Sequence, residues 1–108
     1  MNLPELKKKL ANYPLNMIII SKHASMRAEL RSFDISQIKE NIHNPEKLYY
    51  FEEQEAKLLN ERKFNCYFRN SKKYCHRYII IINNECIVCT VIRININMQK
   101  RVDKYAKI

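Results

Sequence analysis

The stretch CHRYIIIINNECIVCTVIRIN, residues 75–95, decides the fold. Two β-branched runs flank Asn83-Asn84, and in a chain without glycine asparagine is the best substitute for the Asn-Gly of a type I′ hairpin turn. A two-residue loop there pairs Ile82 with Glu85, Ile79 with Val88 and Arg77 with Thr90. In that register Arg77 and Thr90 share one face, while His76, Tyr78 and Arg93 share the other with Ile80, Ile87 and Val91. Both faces are apolar between polar ends, so the hairpin is expected near the centre of a sheet covered on both sides, or curled.

Working outward, KLYYFEEQ (47–54) and FNCYFRN (64–70) are aromatic and β-branched and read as strands, joined by the charged EAKLLNERK. MIII (17–20) reads as a brief buried strand ending at Ser21. The N-terminal side is helical. Pro4 opens ELKKKLANY, with Leu6 and Leu10 four apart and Pro14 as the stop, an N-terminal cap helix within residues 1–15. SKHASMRAELRSF (21–33) predicts a helix from Ser21 or Lys22 to about Ser32. Met26, Leu30 and Phe33 share the arc expected to face the core; His23, Arg27 and Arg31 share the adjoining arc, with Ala24 and Ala28 just beyond. Asp34 is the expected cap of ISQIKENIHN, with Gln37 in a capping-box relation, Ile35, Ile38 and Ile42 as the apolar edge and Asn44-Pro45 as the end. The expectation is one α+β domain over 1–108: two to three N-terminal helices on an antiparallel sheet of about four strands, then a basic, mildly helical tail at 97–108.

Composition narrows the function. Twenty Lys and Arg against eleven Asp and Glu give the 108-residue chain a net charge of +9, a field that attracts nucleic acid or acidic proteins. The wealth of Ile, Asn, Lys and Tyr suits an AT-rich gene, so the arginines carry more weight than the lysines. Lack of glycine excludes Gly-rich phosphate loops and leaves positive-φ positions to Asn or Asp. No stretch approaches the ~20 apolar residues of a membrane span, and NLPELKKKLAN lacks the apolar core of an export signal; a soluble, cytoplasmic protein is expected. Cys66, Cys75, Cys86 and Cys89 are then expected to be reduced core residues. Cys86 and Cys89, three apart on a strand, point to opposite faces and cannot chelate zinc together, so neither metal nor cofactor is expected.

A short strand, an H-A-x-x-R helix, a second helix ending at N-P-E and a strand meander closing on T-V-x-R occur here in that order. The residues are Ser21, His23, Ala24 and Arg27, then Asn44-Pro45-Glu46, then Arg77 leading RYIIII, and Thr90-Val91. Over residues 17–94 the chain resembles the small RelE-like and BrnT-like toxins, in particular related domains that begin with S-x-H-A-x-x-R. The resemblance implies a compact α+β fold and a metal-independent endoribonuclease of the mRNA-interferase type, held in check by an antitoxin protein. Two features depart from the pattern: Ile92 stands where an aromatic residue often follows T-V, and the cysteines are not part of it.

Cutting RNA without a metal requires a proton taken from the 2′-hydroxyl, a proton given to the leaving 5′-oxygen, and charge on the phosphorane offset. Histidine suits the proton transfers and arginine the bidentate clamp on phosphate oxygens. The expected catalytic set is His23 as general acid or base, Arg27 and Arg77 as phosphate ligands and Thr90 as orienter. Lys22, Arg31, His76, Arg93, Lys100 and Arg101 are the expected RNA contacts. Their convergence requires the 21–33 helix to pack across the open end of the hairpin. RNA, on the ribosome or free, and an acidic antitoxin are the expected partners. His43 ends a helix and is assigned no function, and Tyr67, Phe68 and Tyr78 are core residues or base-stacking platforms. Two alternatives remain: a non-catalytic nucleic-acid binder of the same fold, and a DNA-reading helix pair using Gln37, Lys39 and Asn41, which the need to bury three isoleucines weakens.

Overall fold

The computed structural model describes residues 1–95; the tail at 97–108, with Lys100 and Arg101, lies outside the described residues. In chain order the elements are α1 (Leu3–Ala11), β1 (Ile18–Ile20), α2 (Lys22–Leu30), α3 (Ile35–His43), β2 (Leu48–Gln54), β3 (Arg62–Arg69), β4 (Tyr74–Ile82) and β5 (Cys86–Asn95). Strands β2 to β5 form the antiparallel meander, and β1 joins the far edge, giving the order β1-β5-β4-β3-β2. The architecture is the expected α+β; among the described residues three helices pack on a mixed sheet of five strands. MIII pairs parallel with β5, Ile18 beside Cys86 and Ile20 beside Val88.

Strand β5 is ten residues long and β1 only three, so much of the β5 edge is left for α2 to satisfy. Ser21, which caps α2 by accepting the Ala24 N–H, also donates its own N–H to the Val88 carbonyl (3.0 Å) and its hydroxyl to that of Cys89 (3.3 Å). At the other end of α2, Arg31 Nη1 donates to the Val91 carbonyl at 2.7 Å. Both ends of the helix are thereby tied to one strand edge.

That tether corrects the expected face of α2. Ala24 and Ala28 are fully buried, whereas Met26 is 56 % and Leu30 80 % exposed. The reason is distance: methyl side chains let the helix backbone lie close to Val88 and Val91, whereas Met and Leu on that face would hold it away from the carbonyls it caps. The helix stops in a Schellman arrangement, with Phe33 N–H bonded to Ala28 O (2.8 Å) and Ser32 N–H to Glu29 O (3.3 Å). Ser32 takes the required left-handed conformation, φ 57°, where Asn or Asp was expected. The turn sends Phe33 back onto the sheet.

The other helices follow their sequence patterns. Leu6 and Leu10 of α1, four apart, are fully buried and belong to the core. Asn2 caps it by accepting the Glu5 N–H. Asp34 caps α3 through the Ser36 N–H, and Ile38 and Ile42 are fully buried. These residues meet Phe64, Cys66, Phe68, Tyr78, Ile80, Val88 and Val91 in one cluster, so all three helices cover the same face of the sheet. Asn41 lies inside that layer and donates to the Tyr78 hydroxyl at 2.9 Å, which withdraws it from any DNA groove.

The central hairpin has a three-residue loop, not two. Asn83 Oδ1 accepts the Glu85 N–H (2.8 Å) and Asn83 N–H donates to Glu85 O (3.0 Å), so Ile82 pairs with Cys86. A bulge then sets Cys89 and Thr90 against Ile79. Together the two irregularities restore the expected faces: Arg77 and Thr90 share one, His76, Tyr78, Val91 and Arg93 the other. The pairings differ, Arg77 meeting Ile92 and Thr90 meeting Ile79, and Ile87 moves to the Arg77 face. Tyr13 OH donates to Asn83 O at 2.7 Å, pinning the hairpin tip to the end of α1. Among the described residues no helix is long and apolar enough to cross a membrane.

Swapping the sizes on α2 tests its orientation. Ala28→Leu is expected to cost about 1–3 kcal/mol by overpacking, while Leu30→Ser stays within about 0.5 kcal/mol of the parent, as exposed positions do. Urea midpoints read both; the reverse ranking would mean that the helix buries the Met26–Leu30 arc.

Candidate nucleic-acid interface

Alternation along the strands assigns a distinct set of side chains to the sheet face away from the helices. Three cross-strand rows run over it: Tyr50, Tyr67, Arg77 and Ile92; Glu52, Asn65, Ile79 and Thr90; Gln54, Lys63, Ile81 and Ile87. Among the described residues no helix packs there. A small apolar cluster of Tyr67, Cys75 and Ile94, with Tyr49, Tyr50 and Ile92 against it, supports one end.

The polar centre of this face is Tyr67. Its hydroxyl donates to Glu52 Oε1 (3.2 Å) and accepts from Asn65 Nδ2 (3.2 Å). Burial pushes the Tyr67 phenol above its ordinary range, and a hydrogen bond from Arg77 pulls the other way. Arg77 Nε and Asn65 Oδ1 are buried without a hydrogen-bond partner among the described residues. Each such orphan costs about 1–3 kcal/mol. One is a cationic donor and the other an amide acceptor, and the exposed carboxylate of Glu52 stands in the same network.

Cations and aromatic rings extend the face in both directions. The Arg69 guanidinium stacks 4.0 Å over the Tyr49 ring, and the Tyr50 and Tyr67 rings lie 5.4 Å apart. At the opposite end the β2–β3 connection encloses a cavity of about 470 Å³ lined by Lys57, Leu58, Glu61, Lys63, Ile81 and Cys89. The half-buried rings of Tyr49 and Tyr50 beside spaced Arg and Lys side chains suit a single-stranded polyanion, whose bases stack while its phosphates are neutralised.

The catalytic set expected from the sequence is not brought together. Thr90 and Arg77 stand on this face, whereas α2 lies on the helix face over β5, with His23, Arg27 and Lys22 exposed on its outer side. α2 lies along the β5 edge, its ends bonded to the Cys89 and Val91 carbonyls, instead of crossing the open end of the hairpin, and neither His23 nor Arg27 has a bond to Arg77 or Thr90 among the described residues. Arg31 is held by the Val91 carbonyl and is structural.

His76 is also structural. It is 3 % exposed on the helix face, with the Phe33 ring 4.6 Å away edge-on and neither ring nitrogen hydrogen-bonded among the described residues. Burial, then the charges of Arg93 and Lys47, lower its pKa to about 4, so near neutral pH it is an uncharged core residue. Arg93 is exposed and its guanidinium lies over Phe33 (5.1 Å) and Tyr74 (5.8 Å). Phe68 and Tyr78 are fully buried and unavailable to bases, while Tyr67 belongs to the polar centre. His43 donates Nδ1–H to Tyr13 O at 2.9 Å, closing α3 against the end of α1.

Glu52 and Asn65 were not singled out from the sequence. The signal was present in the alternation of YYFEEQ and FNCYFRN, which sends Tyr50, Glu52, Asn65 and Tyr67 to one face. Cys86 is buried on the helix face and Cys89 half-buried at the bulge on the other. Comparison with protein-family models, with curated proteins and with solved structures finds no match.

Burying a neutral His76 makes stability depend on pH. The unfolded imidazole binds a proton near pH 6.5 and the folded one only near 4, so the contribution is complete above 6.5 and is lost as pH falls between those values. Its full size is about 3 kcal/mol. Denaturant midpoints across that window should show the slope in the parent and a reduced slope in His76→Leu; an equal slope in both would refute the buried, unpaired histidine.

Proposed function

We propose that this chain is a RelE-like toxin of the cytoplasm that binds single-stranded RNA on the sheet face carrying Arg77 and cleaves it without a metal by 2′-hydroxyl attack. The observation that carries the reading is the Arg77, Tyr67, Asn65 and Glu52 network, with its orphaned guanidinium nitrogen and amide oxygen beside an exposed carboxylate. Glu52 accepts the 2′-hydroxyl proton, Arg77 offsets charge on the phosphorane, and Tyr67 holds the proton that the leaving 5′-oxygen needs. Thr90, three strands from Glu52 on the same face, and Lys63 contact the flanking nucleotides. An acidic antitoxin protein is the regulatory partner in this reading.

His23 and Arg27 are outside that set. The network contains no histidine, which favours a second reading, in which the same face binds nucleic acid without cutting it. Incubation of end-labelled single-stranded and structured RNA with the protein in EDTA distinguishes the two. A nuclease yields 2′,3′-cyclic phosphate ends, loses about 10²–10⁴-fold in rate as Glu52→Gln or Tyr67→Phe, and about as much as Arg77→Ala. His23→Ala stays near the parent rate. RNA left intact, with affinity falling steeply as salt rises, gives the binding reading.

A further inference from the structure

Two cavities meet at the tip of the β4–β5 hairpin, and neither takes a side chain from the Arg77 network. One, of about 460 Å³, is lined by Asn60, Arg62 and Glu85, and its neighbour, of about 380 Å³, by Tyr13, Pro14 and Met17. Lys9 and Asn84 line both, so the two are lobes of one cleft. Each lies within the roughly 300–1,000 Å³ typical of small-molecule sites. The first lobe is charged: Lys9 and Arg62 are cations, Glu85 is a carboxylate, and Asn60 and Asn84 add amides. Glu53 holds the Arg62 guanidinium through Nε (2.8 Å) and Nη2 (2.6 Å). Arg62 Nη1, the Lys9 ammonium and the Glu85 carboxylate make no hydrogen bond or ion pair among the described residues. The hairpin tip is fixed as well, since Asn83 closes the turn onto the Glu85 N–H and Tyr13 OH donates to Asn83 O at 2.7 Å. Groups held in place before a ligand arrives lower the ordering cost of binding it.

We infer that this cleft binds a ribonucleoside monophosphate, with the phosphate between Lys9 and Arg62, the ribose hydroxyls on Glu85, and the base in the Tyr13, Pro14 and Met17 lobe beside Asn84. Two cations with donors to spare suit a phosphate. A carboxylate next to them disfavours a bare anion and favours a ligand that also brings hydroxyl donors, as a ribose does. The less polar walls of the second lobe, bordered by an amide that both donates and accepts, suit a flat ring with a hydrogen-bonding edge. No Gly-rich loop is needed, because charged side chains rather than backbone N–H groups meet the phosphate. The inference goes beyond the RNA reading and stands whether or not RNA is cut, since the cleft and the Arg77 network share no residue.

The test follows backbone amide shifts of the intact protein as adenosine 5′-monophosphate is added. Shifts centred on residues 9–17, 60–62 and 83–85 are expected. Adenosine and inorganic phosphate should each bind about tenfold or more weakly, because each makes only part of the contacts. Lys9→Ala and Glu85→Gln should each weaken the nucleotide by about tenfold, while Lys8→Ala, one position away on α1 with the same change of charge, should not. A titration without shifts at these residues would overturn the assignment, and so would affinity unchanged in Lys9→Ala. Inorganic phosphate binding as tightly as the nucleotide would also overturn it, reducing the cleft to an anion site. Single-stranded RNA moving the same amides at lower concentration than the nucleotide, with dependence on Lys9, would overturn it in a different direction and make the cleft a contact for the polymer. RNA cleavage by Lys9→Ala, measured alongside, reports separately on the Arg77 face.

Discussion

The open edge of β5 constrains the rest of the molecule. A long strand flanked by a three-residue neighbour leaves backbone carbonyls that need donors, and Ser21 and Arg31, at the two ends of one helix, supply them. With both ends held, α2 has one rotation about its axis, and that rotation requires Ala24 and Ala28 inward. Arginine on an apolar-bordering stripe thus serves the strand edge at one position, and solvent at the next turn back, Arg27.

The same tether divides the basic residues between two surfaces. His23 and Arg27 stay with the helices, and Arg77 and Thr90 are on the far face of the sheet. On the helix side, charge borders an exposed apolar ridge. On the strand side, charge borders tyrosines and a hydrogen-bond network with unfilled valences. Histidine contributes to neither face in the protonated form at its buried position: His76 is closed in by Phe33, which the Ser32 turn delivers onto it.

Strand positions, helix caps and sheet faces were legible in the sequence because they follow from short-range rules. Ser21 and Asp34 cap where their side chains allow, and period-two alternation from Cys75 to Asn95 sorts the hairpin. The inward arc of α2 was not legible, because hydrophobicity ranks Met26 and Leu30 above Ala24 and Ala28, whereas close approach to a strand edge ranks them the other way. Parallel addition of β1 was equally hidden, since three isoleucines look alike whichever strand they join. The loop of residues 83–85 escaped because Asn83 closes it through its side chain, a bond that the Asn-Asn pair alone does not announce. For the site, the face shared by Arg77 and Thr90 is legible from strand alternation, whereas the course of α2 along the β5 edge is not, since it depends on backbone carbonyls far away in sequence.

The pairing of Ile18 with Cys86 has a consequence for how the protein is made. During synthesis the first strand and the helix after it leave the ribosome roughly 70 residues before the strand that receives them, a delay of several seconds at about 5–20 residues per second. Until then MIII is an apolar segment with no ladder, and α2 has neither of its carbonyl anchors. Strand β5 closes both the sheet and the helix layer, so folding of the described residues is governed by contacts between distant parts of the chain, with loop closure rather than helix formation as the slow event.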